Sequence, residues 1–402
     1  MRSVRAAAGG AVLLYFVIAL EVLIMISPFA AFFYAAFNPL LLSLGGHGAT
    51  RWLASFFLPH MVLPPGAFLK AVRISGSVLF VGGAVVFVVC AGQVYANKLL
   101  RRGVALRGLY ARIRHPQYLA LAATGLGLAI LWPRFLTIVL WTVMVALYVL
   151  LARDEERRML AAFGERYRAY MSRTGMFAPR RLERALARVP HPASRLVQTV
   201  VGWAALFVVA VGGAFALRAY TVARLPLWSD HHASALAILP ADSVMLAHRM
   251  EDVLVLPDVR SRLAKGTGAV LVYLVPTQYV MQGMIADTSP RWRLYEHHET
   301  MAMIADWILH PFRHLEGGHM MMHHRAGAGT MGGVSAGVTV RRLIFVRVGT
   351  PPGATGRAAL FSIDAPRVPQ FLLDVDMHTL GVIQVKDLGP GTGWGSVPTP
   401  MF

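Results

Sequence analysis

Two short clusters carry residue types that do chemistry together. The first is Arg114-His115-Pro116-Gln117-Tyr118, and the second is Asp154-Glu155-Glu156-Arg157-Arg158. Pro116 suits the first turn of a helix, where its missing N–H costs nothing. The free backbone donors of that turn, with Arg114 and His115, make a place for a ligand carboxylate or phosphate. A basic loop at a membrane surface accounts for the arginines but not for the assembled set. Neighbours on a helix do not share a face, so at most one or two of the three consecutive carboxylates can point at a common site. A solvated charged helix face is the alternative.

A third cluster lies far downstream. Seven of the 15 histidines fall within 297–324, together with Met301, Met303, Met320, Met321 and Met322. His310 and His314 are four apart, and Glu316, His319, His323 and His324 follow. Imidazole with thioether suits copper, and imidazole with carboxylate suits zinc, with His319, His323 and His324 as the candidate ligands. A polar loop whose histidines face water explains the same tract, and the spacing matches no known metal site.

The elements that must position these clusters are read from hydropathy and charge. The chain has 402 residues, 56% hydrophobic and only 15% charged, a balance that points to lipid as a solvent. Residues 1–220 hold 24 Lys and Arg against 6 Asp and Glu, whereas residues 221–402 hold 15 against 14. The basic residues sit in short loops beside apolar runs, which follows the positive-inside pattern and argues against a nucleic-acid patch. A span needs about 20 apolar residues. Candidates are Gly10–Phe37 (interrupted by Glu21 and Pro28), Ile74–Tyr95, a tight hairpin of Tyr118–Trp132 and Phe135–Ala152, and Val197–Leu217. The first run is too long for a signal peptide and reads as an uncleaved helix. Residues 38–70, with four prolines among Trp52, Phe56 and Phe57, read as an interfacial connection. Cys90, the single cysteine, sits in an apolar run as a small buried hydrophobe.

These features predict an α-helical polytopic membrane domain of about five transmembrane helices over 1–220. A small α+β domain over 221–402 follows it on the opposite side. The stretches 96–116 and 153–196, the latter with 11 arginines, are expected in the cytosol. Arg, Ala and Gly richness suggests a bacterial source, hence the cytoplasmic (inner) membrane. In the second domain, β-type runs are expected at Ala269–Val275, Arg342–Val348, Leu360–Ile363 and Leu380–Val385, with helix around 291–312 and an extended tail after Leu388.

Four elements occur in order between residues 72 and 180. They are Arg114-His115-Pro116 with Tyr118, the apolar hairpin with Gly125-Leu126-Gly127, the Glu155-Glu156 pair, and Phe163-Gly164 followed by Tyr167 and Tyr170. Together they resemble the isoprenylcysteine carboxyl methyltransferase and phospholipid N-methyltransferase superfamily, membrane-embedded and S-adenosylmethionine-dependent. Leu109 and Ala120 stand where that pattern often has Pro and Gly. The resemblance implies methyl transfer from S-adenosylmethionine to a lipophilic or membrane-associated acceptor, such as a prenylcysteine-like carboxylate or a phospholipid amine. It also implies that His115, Tyr118, Gly125, Gly127 and Glu155 line the cofactor pocket. Glu155, Glu156 and Arg114 become the catalytic candidates, a carboxylate serving as base for an amine acceptor. Gly125 and Gly127 serve close helix packing equally well.

Two other classes fit parts of the pattern. A membrane reductase of related architecture would use NADPH. A non-enzymatic metal-handling or scaffold protein would use the helices only to anchor the His/Met tract.

Overall fold

The computed structural model describes residues 47–58, 66–100, 106–186, 194–239, 241–277, 339–349 and 356–388, with shorter stretches such as 22–29, 280–282 and 296–298. Two compact units result. One takes in Met1–Ala36, Ser75–Leu131 and Thr137–Gly213; the other takes in Phe37–Ile74, Trp132–Leu136 and Ala214–Phe402.

The apolar runs form helices: α1 (Arg51–Ala54), α2 (Ala67–Leu99), α3 (Pro116–Leu131), α4 (Phe135–Arg173), α5 (Arg180–Leu186) and α6 (Arg195–Arg224). Three of them, α2, α4 and α6, are long and apolar enough to cross a membrane. Among the described residues the five-span expectation is therefore corrected to three such helices and one shorter apolar helix. At 1.5 Å per residue α3 is about 24 Å long, short of the roughly 30 Å hydrocarbon layer. Most of the first expected span, including Glu21, lies outside the described residues, although 22–29 is helical.

Within the first unit α3 packs on α2 and α4 through glycines. A Cβ on Gly127 would sit 2.3 Å from the backbone nitrogen of Phe80 and 2.6 Å from the Gly76 carbonyl. One on Gly83 would meet Thr124 and the Ala120 carbonyl, so the backbones of α2 and α3 touch. On its other side α3 meets α4: a Cβ on Gly125 would lie 2.5 Å from Met144 Cε, and Trp141 Nε1 donates to the Ala122 carbonyl at 2.8 Å.

The second unit is built on a sheet. Its strands are β1 (Leu227–Ser229), β2 (Ser234–Ala237), β3 (Ala269–Pro276), β6 (Val340–Val348), β7 (Arg367–Asp376) and β8 (Val382–Asp387), in the order β1-β2-β3-β6-β7-β8. A separate parallel pair joins β4 (Val280–Gln282) and β5 (Glu296–His298). The β2–β3 pair is parallel, as a crossover through α7 (Asp242–Val255) and α8 (Pro257–Leu263) requires, and the other pairs of the large sheet are antiparallel. Both faces of β3 are buried. Val270, Val272 and Leu274 pack with Leu246, Met250 and Val253 of α7, whereas Leu271, Tyr273 and Val275 face a cluster with Phe56, Trp132, Leu225 and Phe361. Burial on both sides explains its uninterrupted apolar run.

Two buried ion pairs fix the middle of the sheet. Arg341 reaches Asp242 with Nε and Nη2 at 2.9 and 3.1 Å, and Arg342 meets its cross-strand neighbour Asp374 with two contacts of 2.7 Å. Because successive strand residues point to opposite faces, one arginine braces each side.

The expected strand at Leu360–Ile363 is not one. Leu360 ends the short helix α9 (Gly356–Leu360), which opens on Gly356 at φ 81°, and the strand begins at Arg367. The expected helix around 291–312 and the tail after Leu388 fall outside the described residues, apart from the β5 backbone.

The turn between α3 and α4 also belongs to this unit. Phe57 N donates to the Pro133 carbonyl at 2.8 Å, and Phe135 N donates to the Ser55 carbonyl at 3.0 Å. The wholly buried Arg134 donates to the Ala54 carbonyl, and its guanidinium carbon lies 4.1 Å from the centre of the Phe56 ring. Arg218 donates to the carbonyls of Phe56 and Phe361.

Candidate functional site

The first unit brings the two upstream clusters together. From Phe135 to Gly164 α4 runs about 43 Å, so it outlasts its apolar stretch and carries Glu155 and Glu156 on the same helical segment. At Gly164 the backbone leaves the helical region (φ 50°, ψ −128°), a conformation glycine adopts without Cβ strain. Beyond this kink the helix ends at Arg173, and the chain pairs with the loop before α3. Arg114 N donates to the Gly175 carbonyl at 2.8 Å, and His115 N donates to the Met176 carbonyl at 3.1 Å. The entry motif is thereby hydrogen-bonded to the segment that follows the tyrosines.

His115 is the centre of the cluster, 1% exposed. Its Nε2 lies 3.3 Å from Glu156 Oε1 and its Nδ1 lies 3.4 Å from Glu155 Oε2. The second contact lacks hydrogen-bond geometry, so buried Nδ1 has no hydrogen-bond partner among the described residues. Arg114 Nε donates to Glu156 Oε1 at 2.5 Å, and its Nη1 donates to the carbonyls of Thr174 and Met171. Tyr118 OH donates to Glu155 Oε2 at 3.4 Å, and its ring stacks on His115 at 5.7 Å and on Tyr148 at 5.1 Å. Two adjacent carboxylates thus reach one imidazole, because the ring lies between them and offers a nitrogen to each.

The carboxylates differ in exposure. The Glu156 side chain is 12% exposed and held by Arg114 and His115; that of Glu155 is 39% exposed and makes only the longer contacts. Burial pulls the His115 pKa down, but the two carboxylates outweigh it and the pKa is raised. The phenol of Tyr110, in the loop leading to Arg114, is pushed up by burial and donates to Gln117 Oε1 at 3.0 Å. Tyr170 OH donates to the Tyr110 carbonyl at 2.6 Å, so the last tyrosine of the motif holds the loop.

Of the residues singled out in the sequence, Arg114, His115, Tyr118, Glu155 and Glu156 converge. Gly125 and Gly127 do not join them, since the space beside each is filled by α4 and α2 respectively. Asp154 instead pairs with Arg157 and Arg158 on an exposed face. His319, His323 and His324 lie outside the described residues, and no group of metal-ligating side chains occurs among the described ones. Tyr148 and Glu183 went unnoticed in the sequence. Tyr148 precedes Glu155 by seven residues, two turns of the same helix, and that spacing was the available signal. Glu183 accepts from the backbone nitrogens of Met176 and Phe177, closing the segment that supports His115; no local pattern announces it.

No protein-family model matches the chain, and neither a curated protein nor a solved structure matches it.

Proposed function

We propose that the chain is an integral membrane methyltransferase that moves a methyl group from S-adenosylmethionine to a lipophilic or membrane-associated acceptor, with its site on the cytosolic side. The observation that supports this reading is the convergence of Arg114, His115, Tyr118, Glu155 and Glu156 at the polar ends of an apolar hairpin. The donor set fits the group. Two carboxylates suit its ammonium and sulfonium, and Arg114 and the protonated imidazole suit its carboxylate. The buried Nδ1 of His115 is an orphan that a ligand acceptor would satisfy.

When bound, the cofactor supplies the electrophilic methyl group. The chain's own residues then have to orient and desolvate, because transfer to an in-line nucleophile needs positioning more than covalent help. Arg114 and His115 hold Glu156 in place, which leaves Glu155 as the more accessible carboxylate. Glu155 is the candidate to face the reacting centre and to take a proton from an amine acceptor. A lipid-soluble acceptor enters sideways between apolar helices while the cofactor arrives from the aqueous side.

Calorimetric titration of the purified protein with S-adenosylmethionine, NADPH and Cu(I) tests the reading. S-adenosylmethionine should bind, and His115→Ala or Glu155→Gln should each weaken it by about ten- to a hundredfold, the loss of one charge-assisted contact. Saturable NADPH binding without S-adenosylmethionine binding would replace this reading with the reductase. Binding of Cu(I) alone would leave the metal-handling reading.

A further inference from the structure

The helix α5 (Arg180–Leu186) lies in the connection between α4 and α6, two of the three helices able to cross a membrane. It is fixed to the first unit on one side only. Glu183 accepts from Met176 N and Phe177 N and lies 3.6 Å from Arg180, and a Cβ on Gly175 would meet the Glu183 carboxyl at 2.7 Å. With Glu183 anchored, the direction of every other side chain on this helix is set.

Arg181 and Arg184 then fall on one exposed face. At 100° per residue Arg181 and Arg184 lie about 60° apart, and Arg188 is exposed in the turn beyond the helix, its N donating to the Ala185 carbonyl. None of the three side chains makes a hydrogen bond or ion pair with a described residue, in contrast to Arg157, Arg158 and Arg168 nearby, each beside a carboxylate. Leu182, on a flank of the same helix, is 52% exposed. Unpaired cations between two helices able to cross a membrane match a charged membrane surface.

We infer that α5 is an interfacial helix whose Arg181, Arg184 and Arg188 bind the phosphate groups of anionic lipids in the adjoining leaflet. Guanidinium groups take phosphate oxygens in paired, charge-assisted bonds. The contact does not depend on methyl transfer. It bears on the site all the same, because Met176, whose nitrogen Glu183 holds, accepts the backbone bond from His115.

The test uses the full chain in nanodiscs of phosphatidylcholine, with or without phosphatidylglycerol. A nitroxide on Ala185→Cys, an exposed position, reports collisions with oxygen and with a water-soluble nickel chelate; buried Cys90 stays unlabelled. Phosphatidylglycerol should raise oxygen collisions and lower nickel collisions. The effect should fade at high salt, as the screening length falls from about 10 Å at 0.1 M to about 3 Å at 1 M. Each arginine near an anionic surface is worth about fivefold in partition, so losing all three charges should shift bound against free populations on the order of a hundredfold, and reversing them to glutamate by at least that much. The triple lysine variant should keep most of the response. Equal collision rates in neutral and anionic discs would overturn the inference, and so would a full response in the glutamate variant. Inorganic phosphate producing the same change in neutral discs would also overturn it, in favour of a soluble-anion site.

Discussion

Replacing Glu155 and Glu156 by glutamine, one at a time, separates holding the site together from facing its ligand. Glu156 is 12% exposed and receives Arg114 Nε at 2.5 Å, with His115 Nε2 at 3.3 Å. Breaking a buried ion pair by removing one partner costs about 3–5 kcal/mol, the range expected for Glu156→Ala. Glutamine keeps an acceptor oxygen in place and loses only the charge, so Glu156→Gln should cost about 1.5–3 kcal/mol. Glu155 is 39% exposed with contacts of 3.4 Å, and a pair of that kind is worth under about 1 kcal/mol. Apparent unfolding midpoints in one detergent at one scan rate should therefore rank wild type, Glu155→Gln, Glu156→Gln and Glu156→Ala in falling order. Affinity for S-adenosylmethionine should drop in Glu155→Gln even though its midpoint barely moves. A Glu155→Gln midpoint as low as that of Glu156→Gln would refute the division, because both carboxylates would then be equally structural.

The raised pKa of His115 gives a pH dependence of defined sign. Its stabilisation is complete below the unfolded value near 6.5 and is lost as pH rises through the folded pKa, so the midpoint should fall on the alkaline side. His115→Gln should flatten that limb of a midpoint-against-pH curve. Gly127→Ala should destabilise more than Gly125→Ala, within the roughly 1–3 kcal/mol typical of overpacking. The Gly127 Cβ meets backbone, whereas the Gly125 Cβ meets the flexible end of Met144, and thermal midpoints of the two would show it. Asp374→Ala should cost about 1.5–3 kcal/mol by removing both charge-assisted contacts with Arg342, and limited proteolysis should find the sheet loosened. Cysteines at Ala185 and Ala241, both exposed, should react with an impermeant reagent from opposite sides of sealed vesicles. Labelling from one side would break the two-compartment expectation.

The hairpin was legible because its signals were local: apolar runs of helical length, with Pro116 opening one helix and Trp132-Pro133-Arg134 separating the two. What hydropathy hid was the length of α4. The apolar run stops at Ala152, yet the helix continues through Glu155 and Glu156 to the kink at Gly164, since charge ends a membrane segment without ending a helix. The residue types of the site were legible in Arg114, His115, Tyr118 and the glutamates, but their arrangement was not. Two adjacent carboxylates on one imidazole depend on where α3 and α4 cross, which no local pattern encodes. Gly125 and Gly127 read alike in sequence and were distinguished only by what stands beside them. In the second unit β3 and β6 announced themselves as β-branched runs. The strand β7 was missed because Pro369 interrupts it; a register shift at Phe345/Val346, opposite that proline, is where a sheet tolerates one.

Arg134 makes the order of synthesis matter. It sits at the tip of the α3–α4 turn, so on the proposed topology insertion of that hairpin carries a guanidinium through lipid, at a cost of about 3 kcal/mol on insertion scales. Its receiving groups, the Ala54 carbonyl and the Phe56 ring, lie some eighty residues earlier in the chain and leave the ribosome first. The charge therefore arrives at a place already made, and the bridge between Phe56 and Arg134 closes behind it. A chain made in the opposite order, as by circular permutation, would have to park that arginine in lipid until its partners appeared.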